Sequence, residues 1–149
     1  MTNSWRHLPP PARPIAAATV ASLSSFRSST DAFEAHDLAA QDPAQTGLIL
    51  GTVVRLLLED ANPDGLTADD VRAALASCVR SWPEADPQVV LWLLAGALGV
   101  LDEEGAPAPK PAVLARHAVA LVDDLLAGRP VEPWLTAALA EIERSQLND

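Results

Sequence analysis

The sequence predicts an all-α fold, a compact bundle of six or seven helices, on three observations. The composition is 49% hydrophobic yet holds no Tyr and only two Phe, so the core must be aliphatic and alanine-rich. Alanine is the best helix former, and the aromatic β-formers are scarce. Acid-proline pairs recur at Asp42-Pro43, Asp86-Pro87 and Glu132-Pro133. Each supplies an oxygen for free helical amides and a proline preorganised for the first helical position. Finally, once the helices are placed, no convincing strand remains anywhere.

At 149 residues with 20% charged side chains, the chain fits one domain with its own core, not a disordered polymer. Residues 1–14 hold Pro9, Pro10, Pro11 and Pro14 and read as a flexible proline-rich lead, with Trp5 unusual in such a tail. The single helical domain then covers 15–149. Its first helix is expected over Ile15–Ser28, with Val20, Leu23 and Phe26 inward. Ser29 or Thr30 caps a short second helix containing Phe33 and Leu38.

The third helix starts at Asp42-Pro43, runs to about Asp60 and stops in Asn62-Pro63-Asp64-Gly65. Thr67, with Asp69 and Asp70 behind it, opens the fourth, which ends near Trp82-Pro83. The fifth is expected from Pro87 to Asp102, ahead of the Gly105-Ala-Pro-Ala-Pro109 linker. The sixth spans Pro111–Ala127 and is closed by Gly128; the last begins at Glu132-Pro133.

Aligning Asp42 with Asp86 also aligns Pro43 with Pro87, Glu59 with Glu103, Pro63 with Pro107 and Arg72 with Arg116. The segments 42–82 and 86–126 therefore read as two related helical hairpins. Two copies are too few for a solenoid, so the expected form is a pair inside the bundle.

The net charge of −10 disfavours phosphate backbones and anionic membrane surfaces, so neither nucleic acid nor membrane is an expected partner. Arg6 and Arg13 precede Ile15–Leu23, but that stretch is too rich in Ala and Thr for a secretory core. The longest apolar run, Val89–Leu101, is too short to span a bilayer. The expected location is cytoplasmic.

Candidate chemistry is sparse. Asp60, Asn62, Asp64 and Gly65 match positions one, three, five and six of a calcium loop, but Val71 stands where the bidentate acid is needed. His7, His36 and His117 are the only histidines; His117 adjoins an apolar helix face that Asp124 could share, two ligands where a metal wants three. Cys78, the only cysteine, falls on an apolar stripe and reads as a core thiol. The acid pairs Glu59-Asp60, Asp69-Asp70 and Asp123-Asp124, and the run Asp102–Glu104, diverge around a helix, so none is preset for acid–base work. The serines at 22–29 have no nucleophile elbow. Gly47-x-x-x-Gly51 and Gly96-x-x-Gly99 fall inside helices and read as points of close helix approach.

The expectation is a protein without catalytic, cofactor or metal site. Two binding classes remain. One is a non-catalytic protein-interaction module, such as an adaptor, an antitoxin-like or immunity-like partner, or an assembly subunit. The other is a small-molecule-binding bundle with a pocket lined by Trp82, Trp92 or Trp134, and with Arg55, Arg72 and His117 as its polar groups.

An apolar surplus favours the first class. Helix five is apolar from Val89 to Leu101 apart from its glycines, and helix three nearly so, with Gln45, Thr52, Arg55 and Glu59 as its polar stripe. One domain encloses two such helices with difficulty. The strip Gln88, Trp92, Ala95, Gly99, Asp102 of helix five is therefore expected to face a second copy or another protein. Trp92 would be its anchor, and Trp92, Ala95, Gly99 and Trp134 are the expected interface or ligand contacts; the alternative is a central helix five with Trp92 in the core.

Overall fold

The computed structural model describes residues 12–28, 35–100 and 108–147. These form seven helices and no strand: α1 (Ala12–Ser28), α2 (His36–Ala39), α3 (Pro43–Ala61), α4 (Ala68–Ser81), α5 (Pro87–Ala97), α6 (Pro111–Leu126) and α7 (Glu132–Leu147). None of them is long and apolar enough to cross a membrane. The expected cap for the second helix, Phe33, Trp5, His7 and the acids 102–104 lie outside the described residues.

The starts follow from local chemistry. Asp42 accepts from the Gln45 amide and Asp86 from the Gln88 amide, each with proline in the first turn. Thr67 and Asp70 form a reciprocal capping box, each side chain taking the other's backbone N–H. α1 begins at Ala12, three residues before the expected start, so residues 12–14 belong to the helix and not to a lead. Pro14 is tolerated there because first-turn amides have no helical acceptor.

The ends depart further from expectation. α5 stops at Ala97, not Asp102. Gly99 takes a positive φ of 74°, while its amide bonds Gly96 O at 3.2 Å and the Val100 amide bonds Ala95 O at 2.9 Å. That double closure is a Schellman motif, and glycine adopts its left-handed residue without steric cost. Gly99 is thus the stop of α5 and not an interior packing position. α6 ends one residue early, with Ala127 already left-handed at φ 52° and Gly128 following at φ 87°. Arg129 satisfies the freed carbonyls, donating from Nε to Leu126 O and from Nη2 to Leu125 O.

Two helices lie innermost. α3 packs on α1, α5, α6 and α7, and α6 packs on every helix from α1 to α5. α3 is enclosed as its composition requires, burying Ile49, Leu50, Val53, Val54, Leu57 and Leu58. The second enclosed helix is α6, whose Ala115, Ala118 and Ala120 let neighbours approach on several sides. α5 buries Val89, Val90 and Leu94 but turns its other face outward. The core is aliphatic, with Ile15, Leu23, Leu57, Leu94, Leu121, Leu126 and Leu135 almost inaccessible to solvent. Each such side chain contributes about 1.5–3 kcal/mol on burial.

The hairpin repeat does not extend to packing. The two segments share an Asp cap and a Pro start, but α3 has 19 residues and α5 only 11. α3 scarcely touches α4, which rests on α5 and α6, whereas α5 and α6 pack together. Arg72 is exposed and paired with Asp69, while Arg116 lies over the Trp82 ring at 5.2 Å. A shared start signal is local, and it does not dictate where the following helix docks.

Candidate functional site

An apolar cleft of about 280 Å³ opens where α2, α3, α5 and α6 meet. α2 supplies Leu38 and Ala39. The first half of α3 supplies Pro43, Thr46, Gly47, Leu50, Gly51 and Val54, and the second half of α5 supplies Trp92, Leu93, Gly96 and Ala97. α6 closes it with Pro111, Leu114, Ala115, Ala118 and Leu121. Gln41 and Thr46 are the only polar side chains in this lining. The Thr46 hydroxyl is buried and has no hydrogen-bond partner among the described residues.

Three helical glycines shape the cleft. A Cβ built on Gly47 or Gly96 meets nothing within 4 Å, and on Gly51 it stands 3.8 Å from the Ala97 Cα, an ordinary contact. Gly51 alone is near another helix; Gly47 and Gly96 are not points of close approach, contrary to expectation. Neither has a positive φ, so neither backbone conformation demands glycine. Glycine in a helix interior costs roughly 0.5–1 kcal/mol relative to alanine. An added methyl group would enter empty space at either position.

Of the residues expected at an interface, Trp92 lines the cleft, half-buried. Ala95 is half-buried and Gly99 exposed on the outward side of α5, beside exposed Gln88. Leu91, 45% exposed, joins that face and was not singled out in the sequence, although it stands next to Trp92. Trp134 lies apart, its ring under the Arg129 guanidinium at 5.1 Å. Trp82 is no pocket wall either. It is buried edge-on against Phe26 at 5.9 Å and His117 at 5.0 Å, holding the end of α4 to α1 and α6.

The polar groups expected to orient a ligand are engaged elsewhere. Arg55 bonds Glu59 and Glu141, and Arg72 bonds Asp69. His117 is buried; its Nδ1–H donates to Val113 O at 2.8 Å and its Nε2 accepts the Asp86 N–H at 2.9 Å. Burial holds it below the usual imidazole range, with Arg116 pushing the same way against the Val113 bond and Asp86. Asp124, expected to share its face, instead accepts from Ser81 at 2.7 Å, and Asp123 accepts from Arg27 at 2.6 Å.

The calcium-loop look-alike is a turn between helices. Asp60 accepts from Arg129, the Asn62 amide donates to Leu58 O, and Gly65 turns at φ 114°. Burial pushes the Cys78 thiol up to about 12, with Asp124 adding to the shift, so it is not a thiolate at neutral pH. Among the described residues no three His, Cys, Asp or Glu side chains converge as metal ligands. Compared with protein-family models, with curated proteins and with solved structures, the chain matches none of them.

Proposed function

We propose that the chain is a non-catalytic protein-interaction module whose cleft receives the apolar side chains of a partner's basic amphipathic helix. The observation that carries this reading is an open apolar cleft whose lining includes Gly47 and Gly96, helical glycines that neither packing nor a positive φ requires and that weaken their helices. Trp92 in its wall and exposed Leu91 beside it extend the apolar surface beyond the cleft. A helix laid in a groove presents anchors at one-turn spacing to such a surface. The net charge of −10 favours a partner with basic flanks. A polar small molecule fits less well, because Arg55, Arg72 and His117 do not line the cleft.

A short helical peptide of leucine and lysine is a suitable probe, with its leucine–glutamate counterpart as control. Saturable binding of the basic peptide is expected. It should weaken at least about tenfold in Gly47→Leu, which fills the cleft, and in Trp92→Ala, which removes an anchor. Equal affinity for wild type and Gly47→Leu sinks the proposal, since attraction to net charge alone would then explain binding. Self-association of the free chain that Gly47→Leu abolishes would make a second copy the occupant instead, and overturn the partner helix.

A further inference from the structure

His117 sits where three helices meet: on α6, against Trp82 at the end of α4, and bonded to the Asp86 amide at the start of α5. We propose that this imidazole is an acid-released latch, whose protonation breaks the bond to Asp86 and frees the α4–α5 corner from α6. α5 and α6 are two walls of the cleft, so the latch would regulate its opening; that consequence rests on the cleft reading.

The chemistry is that of donors and acceptors. A neutral imidazole has one of each, and here both are spent. Val113 O can only accept, so Nδ1 carries the proton, and the Asp86 N–H needs the lone pair on Nε2. Protonation turns Nε2 into a second donor aimed at a donor 2.9 Å away. The bond is lost and the part-buried amide is left without an acceptor.

The surroundings offset the new charge only in part, since the net influence on His117 is downward. From α6, Arg116 repels it. At the start of α5, the Asp86 carboxylate attracts it, while its Oδ1 caps the Gln88 amide. From the end of α4 comes the uncharged Trp82 ring, and Ser81 there holds Asp124 of α6. Burial, the largest influence, favours the neutral ring. A released ring titrates near the ordinary value of 6.5 and the latched ring below it. The corner is therefore closed above that pH, and acid favours the open state by up to about tenfold per pH unit between the two values.

Amide hydrogen exchange tests this without any ligand, in the wild type and in His117→Gln, whose side-chain oxygen can accept from Asp86 but does not titrate. Protection of the Asp86, Val89 and Val90 amides should fall in the wild type as pH drops from about 8 to about 5. It should stay flat in His117→Gln, and Val53 in α3 should remain protected in both. Flat protection in the wild type, or the same fall in both proteins, overturns the latch. Should His117→Gln not fold, the ¹⁵N shift of Nε2 in the wild type decides. A corner that opens while Nε2 is still an unprotonated acceptor refutes the proposal, and opening in step with Nε2 protonation supports it. Failure of the leucine–lysine peptide to bind would remove the cleft reading alone, and unchanged exchange beside intact peptide binding would remove the latch alone.

Discussion

Replacing Gly47 with alanine should stabilise the fold and weaken the site together. Gly47 lies inside α3, with exposed helical backbone and nothing within 4 Å of an added Cβ. Alanine restricts the unfolded chain and fits the native φ and ψ, so the gain is about 0.5–1 kcal/mol. For a domain of this size that corresponds to a rise of about 1–4 °C in melting temperature. Gly96→Ala should gain less, because it sits in the last turn of α5, where the helix is already ending. Thermal unfolding followed by circular dichroism, checked for reversibility, measures both. The methyl group also narrows the cleft, so affinity for the leucine–lysine peptide should fall as stability rises. A lower melting temperature for Gly47→Ala would show that packing requires the glycine, and the case for a deliberately open cleft would collapse.

Two further expectations concern helix ends. Gly99→Ala forces a side chain into the left-handed turn that stops α5 and should cost about 1–2 kcal/mol, so an unchanged melting curve would refute the Schellman assignment. Asp42→Ala and Asp86→Ala should each cost about 1 kcal/mol through the lost cap bonds to Gln45 and Gln88; two silent substitutions would mean that water caps these helices equally well.

Helix starts were legible in the sequence because their chemistry is complete within a few residues. Asp42, Thr67 and Asp86 each carry the oxygen that takes the orphan amides, and the following prolines or acids agree with them. The end of α5 was not legible from its apolar run, since hydrophobicity contains no stop and the run continues to Leu101. Gly99 held the stop, through a positive φ that a helical reading overlooks. Trp92, expected in the sequence as an interface anchor, lines the cleft, but Trp82 and Trp134 were indistinguishable from it in sequence. Their places depend on Phe26, His117 and Arg129, which come from other helices or from beyond a turn. Gly47 and Gly96 were visible as helical glycines, yet close approach and open space look alike until the facing surface is known.

Where local preference and tertiary structure agree, a residue needs no function to explain it; disagreement marks a place to look. In this chain the disagreements gather in two places. One is the cleft, with helix-weakening Gly47 and Gly96, the unpartnered Thr46 hydroxyl and solvent-facing Leu91 nearby. The other is the α4–α5 corner, where buried His117 spends both nitrogens and the Trp82 Nε1 and Arg116 Nε hydrogens find no acceptor among the described residues. Each orphaned polar group costs about 1–3 kcal/mol, a large share of a domain's net stability. α5 and α6 run through both places, which is the route by which a change at the corner would reach the walls of the cleft. Deleting the two oddities separately, with Gly47→Ala and His117→Gln, and then together, measures that link. Additive effects on peptide affinity would separate corner from cleft, and a non-additive result would join them.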